Sequence, residues 1–500
     1  MSKIIEQKID SFYGGISDDS RKPSVSEFQL TKHFDVFSRP NRLIPYRSLE
    51  IDTNDGSSST GMKQYLLKDF VYASASAKLY GLGQTAGGLT QIFYKADATT
   101  GNWTVPGSAT GNGAVKNGCL VEYKDYLWGF QGTNQVWKWG VLSGSPSITN
   151  TVTGTLASTI TSIANGVIAK DDNLYMAYNN IVVRVTAAGT LVDSALTLPT
   201  NFKITSLANF GNYLAIACAP ISTFNGKSRV FLWNLTSVDV QESIDWGEGE
   251  IRILDTVEGA LVGVTDRYLN NSAGAGRGSM IVQVYSGGSP QVVKEIYTNA
   301  LTGKTMPTSK AVFNNRVFWA AKIMTDTAGT TYNEGIWSFG RKNANYSQTL
   351  TLDIIDENID TDGIQGFGTA ANFFFIAHSG DGSIDKTDDT ASYTFTSVYE
   401  SQIFNGGDVD SDKRLDSLKV SFRALATGES VTAKVRFDGA TSWTTIGTAS
   451  TVGDISRTFL SIEATDTAFA SGKEIEFRLE SLGGAEITSF KAKMTILSNP

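Results

Sequence analysis

The residue types that usually carry catalysis are scarce in this chain. Among 500 residues there are two histidines, His33 and His378, and two cysteines, Cys119 and Cys218. No Ser-His-Asp order around a nucleophile elbow can be drawn from them, and their spacings do not make a zinc site. Both cysteines sit in apolar strand patterns and read as small buried hydrophobes rather than as nucleophiles or disulfide halves. Carboxylates alone suffice for glycoside hydrolysis. The densest acidic stretch inside the repeats described below is Ser243-Ile244-Asp245-Trp246-Gly247-Glu248-Gly249-Glu250. A solvated turn explains Asp245, Glu248 and Glu250 more simply than an acid–base pair. Asp408-Val409-Asp410-Ser411-Asp412 alternates carboxylates as the start of a calcium loop does, but Lys413 stands where that loop needs glycine and Lys419 where it needs an acid. Calcium at Asp408, Asp410 and Asp412 stays open, with a solvated turn the simpler reading. The chain is expected to be no enzyme and to use no metal and no cofactor.

Composition points the same way. A net charge of −8 with no basic run gives no surface for coating nucleic acid, so no sequence-specific nucleic-acid partner is expected. No stretch approaches the roughly 18 apolar residues of a membrane span, and the N-terminus lacks the apolar core of a signal peptide. Synthesis in a cytoplasm is the expectation. Glycine is abundant at 49 and proline scarce at 10, and no convincing helix-period stretch occurs. The chain reads as all-β.

The elements that must position any site are set by a repeat. Seven apolar phrases recur: Leu79-Tyr80-Gly81-Leu82, Leu127-Trp128-Gly129-Phe130, Leu174-Tyr175-Met176-Ala177, Leu214-Ala215-Ile216-Ala217, Leu261-Val262-Gly263-Val264, Val317-Phe318-Trp319-Ala320 and Phe373-Phe374-Phe375-Ile376. Their spacings are 48, 47, 40, 47, 56 and 56 residues. Each is followed by a second apolar run, such as Val136-Trp137-Lys138-Trp139 or Val230-Phe231-Leu232-Trp233, the last copy Ser383-Ile384-Asp385-Lys386 being degenerate. Turns such as Lys124-Asp125 and Asn314-Asn315 precede most phrases, which makes hairpins, and a further short run upstream would add an innermost strand. A seven-bladed β-propeller over residues 63–392 is the expected fold, with a sandwich series or solenoid as the alternative. Trp128, Trp137, Trp139, Trp233, Trp319 and Trp337 lie inside these strands. There they suit packing between blades better than sugar stacking. Long polar insertions around Asn271, Arg277 and Asp326 are the expected rim loops for partner contact.

Beyond residue 393 the period stops and strict alternation begins, as in Leu418, Val420, Phe422 and in Ile475, Phe477, Leu479. Residues 393–500 therefore read as a β-sandwich, jelly-roll-like, with Trp443 its one large aromatic suited to a ligand or to an edge. Residues 1–62 lack periodicity and read as an extended N-terminal arm and linker. Such an arm either wraps its own propeller, completing a blade, or docks on a neighbouring subunit.

The opening Phe12-Tyr13-Gly14-Gly15-Ile16-Ser17-Asp18-Asp19-Ser20-Arg21, followed by this layout, resembles structural proteins of tailed bacteriophages. The motif covers about a dozen residues and the layout covers the whole chain. The resemblance implies a non-enzymatic virion component of the tail, its nozzle, hub or tip, assembled in several copies with other tail proteins. Phe12, Tyr13, Gly14, Gly15 and Arg21 are then the candidate assembly residues, and the host surface is a further candidate partner. A propeller that binds a host glycan is the alternative.

Overall fold

The computed structural model describes residues 3–16, 26–39, 41–52, 66–84, 90–95, 103–104, 120–131, 134–143, 149–221, 226–268, 278–298, 304–305, 309–324, 332–355, 364–370, 373–378, 384–387, 393–460 and 471–497. Among them there is no helix, and the chain is all-β.

Six successive stretches each fold into an antiparallel sheet of strands taken in sequence order. The first holds Leu66–Ala73, Lys78–Gln84, Thr90–Lys95 and Trp103–Thr104; the second Val121–Tyr123, Tyr126–Gln131, Gln135–Gly140 and Thr149–Thr155. The third runs from Ile163–Ile168 to Leu191–Thr197, the fourth from Phe202–Phe210 to Glu242–Glu248, and the fifth from Glu250–Val257 to Gln291–Thr298. In the sixth, Lys304–Thr305 and Lys310–Phe313 both pair with Arg316–Met324, followed by Tyr332–Gly340 and Thr349–Ile355. A seventh sheet has three strands of its own, Ile364–Ala370, Phe373–His378 and Ile384–Thr387, and takes its fourth, Leu49–Ile51, from the N-terminal segment. All seven apolar phrases fall in the second strands of these sheets. The turns before them use left-handed backbone at both central residues of Lys124-Asp125, Glu258-Gly259 and Asn314-Asn315, as tight hairpins require.

Both faces of the second strands are buried, which is why the phrases are apolar at every position rather than at alternate ones. Successive side chains point to opposite faces. Tyr80 and Leu82 therefore pack with Leu127, Trp137 and Trp139 of the second sheet. Leu79 packs the other way, with Phe375 and Ile384 of the seventh. A separate apolar cluster fills each of the gaps between the second and third, third and fourth, fourth and fifth, fifth and sixth, and sixth and seventh sheets. Packing thus returns from the last sheet to the first. Where a neighbour comes too close for any side chain, the sequence has glycine: a Cβ on Gly263 would stand 2.5 Å from the Trp246 ring.

Apart from the short pair Phe34–Asp35 and Ile44–Pro45, the remaining strands form two sheets over one core. One is four-stranded, in the order Ile4–Ile9, Ile487–Ile496, Lys413–Phe422, Ser456–Leu460. The other is six-stranded, in the order Gly15–Ile16, Glu27–Lys32, Ser397–Ser401, Ile475–Leu482, Ser430–Phe437, Thr444–Ala449. Leu418, Val420, Phe422, Val431, Ala433, Val435, Ile475, Phe477, Leu479, Phe490, Ala492 and Met494 all enter this core, as their alternation requires. Phe12 and Phe28 from the N-terminal segment lie in it as well, fully buried.

Of the two readings of the N-terminal segment, this pairing accords with the one in which it lies along its own chain. Residues of the 1–62 segment supply strands to both C-terminal sheets and to the seventh sheet, because their apolar side chains find a core only there. Asp52, just past the strand that completes the seventh sheet, is anchored in the first: its carboxylate is 2.9 Å from Lys95 Nζ and accepts the Trp103 indole N–H at 3.0 Å. Both charged side chains are fully shielded from solvent. Removing one partner of such a pair strands the other charge in a dry site, at a cost of about 3–5 kcal/mol. Lys95→Met is therefore expected to lose about 3–5 kcal/mol in urea unfolding. Lys124→Met, which breaks a solvent-exposed pair with Asp172, should leave the midpoint nearly unmoved.

Candidate functional site

The segment Phe12-Tyr13-Gly14-Gly15 lies in a seam between the two-sheet unit and the sixth sheet. Phe12 meets Tyr399 edge-on, with ring centroids 5.4 Å apart, inside the two-sheet core. The next residue faces the other way: Tyr13 meets Tyr346 edge-on at 5.1 Å, and its carbonyl accepts the Thr349 hydroxyl at 2.5 Å. Gly14 donates its N–H to the Ser26 carbonyl at 2.9 Å, and a Cβ there would stand 2.5 Å from the Ser26 carbonyl carbon. Gly15 has φ +83°, and a Cβ on it would meet the Thr349 methyl at 2.8 Å. Two aromatics that diverge and two glycines that permit contact make this tetrapeptide a joint within the chain. Arg21 lies outside the described residues.

Beside that joint a buried guanidinium holds the seam. Arg316, at the start of the sixth sheet's second strand, lies over the rings of Phe37, at 4.0 Å, and Phe318, at 4.6 Å. It donates to the Tyr46 hydroxyl at 3.4 Å and faces the Asp353 carboxylate at 3.7 Å. Asp353 in turn accepts the Thr351 hydroxyl at 2.8 Å. Asp35 approaches from the N-terminal side, its carboxylate capping the N–H groups of Phe37 and Ser38 at 2.8 and 3.1 Å. Burial pushes the Asp353 carboxyl up to about 6, against the opposing pull of Arg316 and with Asp35 adding to the rise. Ser48 and Thr394, where the chain leaves and re-enters the two-sheet unit, are tied at 3.0 Å. These partners come from four separate stretches, residues 35–48, 316–318, 351–353 and 394, and no local pattern marks them as a group.

The other sequence candidates do not come together. Asn271, Arg277, Asp326 and Cys119 lie outside the described residues, though the first two sit in the connection between the second and third strands of the fifth sheet and Asp326 in that of the sixth. The acids around Trp246 are paired separately, Asp245 with Lys227 at 3.5 Å and Glu250 with Lys203 at 2.8 Å and Arg252 at 3.1 Å. Asp408 is a turn residue whose carboxylate accepts the N–H groups of Asp410 and Ser411, at 3.1 and 3.0 Å. The ammonium of Lys413 occupies the cage of carbonyls beside it, from Asp408, Ser411 and Lys473. Hydrogen bonds from Ser411 and Asp410 hold the Asp408 carboxyl below its ordinary range. His33 stacks on Phe395 and His378 lies 3.3 Å from Asp385, both buried. The six strand tryptophans are buried too, so none offers a face to a sugar. Trp443 is half-buried under Arg436, 4.4 Å from its ring. Among the described residues no group of three His, Cys, Asp or Glu side chains could hold a metal ion.

No protein-family model matches the chain, and no curated protein does. Among solved structures it is similar to a catalytically inactive virginiamycin B lyase from Staphylococcus aureus, at 13% identity over 68% of this chain and 98% of that one, with a TM-score of 0.42. It is similar to the Pan2 WD40 domain of Neurospora crassa, at 11% identity over 69% and 95%, with a TM-score of 0.42. A third likeness is to BamB from Moraxella catarrhalis, at 13% identity over 64% and 82%, with a TM-score of 0.34. Likenesses this shallow bring neither activity nor partner to this chain.

The seam yields a pH dependence. A carboxyl whose pKa is higher in the folded chain than in the unfolded one contributes stability that is full below the unfolded value, near 3.8, and is lost as pH rises through about 6. Asp353→Asn holds the neutral form at every pH. Between pH 4 and pH 7 the variant is expected to gain on the wild type, by at most about 3 kcal/mol in denaturant unfolding. An unchanged difference across that range would place the titration elsewhere.

Proposed function

We propose that this protein is a non-enzymatic structural subunit of a bacteriophage tail, part of its nozzle, hub or tip. In this reading the seven sheets are the blades of a β-propeller, with Leu49–Ile51 closing the last blade, and the two-sheet unit is a jelly-roll-like β-sandwich into which the propeller is inserted. The observation that carries the reading is the use made of the phage-like opening. Phe12, Tyr13, Gly14 and Gly15 fasten the propeller to the sandwich, and the buried Arg316 cluster stiffens the same seam. A seam of that kind suits a part that transmits load between neighbours rather than one that opens around a substrate. The separate pairing of the candidate acids supports the absence of an acid–base site.

The described part of the N-terminal segment is consumed by the chain's own sheets, so contacts with other copies fall to the sandwich exterior, the outer strands and the rim that carries the loops around Asn271 and Asp326. The partners are copies of this chain, other tail proteins and the host surface, and the location is the virion, assembled from chains made in the host cytoplasm. Burial of the strand tryptophans works against the glycan-binding alternative.

Mass spectrometry of purified virions should find this chain in fixed multiple copies. A phage with a stop codon in place of Phe12, grown without suppression, should yield particles with incomplete tails that do not infect. Infectious particles of normal shape that lack the chain would overturn the proposal.

A further inference from the structure

On the propeller reading the seven first strands surround an axis, and the sixth of them enters it differently from the rest. Its partner strand Arg316–Met324 receives two short pieces, Lys304–Thr305 and Lys310–Phe313, in place of one strand. At the start of the second piece, two consecutive residues reach to opposite sides. Lys310 Nζ is 3.0 Å from the Leu207 carbonyl oxygen of the fourth sheet, hydrogen-bonds the Leu254 carbonyl of the fifth, and is 2.7 Å from the Asp255 carboxylate. A side chain that bridges the sixth sheet to the fourth must pass the fifth, which is feasible only where first strands converge.

Ser309 looks the other way. Its buried hydroxyl lies near enough to the Asp69 carboxyl of the first sheet to favour the charged form. Asp69 accepts the N–H of Leu120, just ahead of the second sheet, at 2.8 Å, and of Phe70, at 2.9 Å. The first strand of the seventh sheet runs close against the first sheet here, and Gly368 backs directly onto Phe70. Across the same level, Ser206 donates to the Asn165 amide oxygen at 2.9 Å and accepts the Leu254 N–H at 3.2 Å. Burial pushes the Asp69 carboxyl up to about 7, as expected of a carboxyl closed off from water.

We propose that Ser309 and Lys310 form an axial plug that seals the propeller, so that neither nucleic acid nor a small ligand passes along its axis and partners are met only on the rims and outer strands. If the protein sits in a tail, any conduit then runs between copies and not through one. The proposal rests on the propeller reading and is independent of the virion one.

Thiol labelling of the full chain tests it. In a Cys119→Ser, Cys218→Ala background, Ser309→Cys should react with iodoacetamide about 100-fold or more slower than Val292→Cys on the exposed outer strand, because reaction waits on local opening. Ser206→Cys, at the same level, serves as a second probe should Ser309→Cys fail to fold. Adding Lys310→Ala should speed labelling at the axial thiol. Axial thiols that react at the Val292→Cys rate overturn the plug, and a rate insensitive to Lys310→Ala removes Lys310 from it. Projection images of the isolated chain, showing a disc or none, tell a failure of the plug from a failure of the propeller reading.

Discussion

A strand packed edge-in against strands of other sheets has backbone N–H groups that no ladder can answer, and a buried N–H without an acceptor costs free energy comparable to a lost hydrogen bond. The seven-sheet part of this protein depends on how that demand is met. Three of the seven first strands lend a polar side chain to the sheet that follows: Asp69 accepts from Leu120, Asn165 from Leu207, and Ser206 from Leu254. Lys310 supplies the converse, a donor for the Leu207 and Leu254 carbonyls. Apolar packing alone would let neighbouring sheets slide, since burial is not directional. The hydrogen bonds fix the level at which they meet.

The same level is marked in the backbone. Five first strands shift register against their second strands at corresponding places, between Leu67 and Asp69, Ala164 and Val167, Ile204 and Ser206, Ile251 and Ile253, and Ile364 and Gly366. A bulge adds local twist and re-aims the residues beside it. Here those residues include Asp69, Asn165 and Ser206, so the distortion and the capping are one device.

What the sequence made legible follows from this division. The second and third strands are buried on both faces, and their apolar runs at a 40-to-56-residue spacing announced every hairpin, including the degenerate last one at Ile384–Thr387. Strict alternation after residue 393 likewise marked the side chains of the two-sheet core, from Leu418 to Met494. First strands were harder to see because a polar side chain that caps a neighbour looks, in sequence, like a loop residue. The N-terminal segment was harder still. Ile4–Ile9 pairs with Phe490–Thr495, and Phe28 with Ser401, contacts whose partners lie hundreds of residues away and leave no local period. The seam was hidden for the same reason, since Tyr46, Arg316 and Asp353 are ordinary residues until the fold brings them together.

That long-range pairing has a physical consequence for how the two parts depend on one another. The two-sheet core needs Phe12 and Phe28 from one end of the chain and Phe477 and Phe490 from the other, and the seventh sheet needs Leu49–Ile51 beside Ile384–Thr387. Joining ends so far apart carries a loop-closure cost that grows only logarithmically with length, so once the sheets between them have folded the remaining penalty is small. Completion of one part also lowers the cost for the other, because Ser48 and Thr394 hold the two crossings together at their hydrogen bond. The strand that ends in Asp52 then lies where Lys95 and Trp103 can bury its charge. The two-sheet core, last sheet and seam are therefore coupled through a few N-terminal residues, and the Phe-Tyr-Gly-Gly segment sits where that coupling must be rigid: an aromatic anchored in each part, with no side chain between them to act as a spacer.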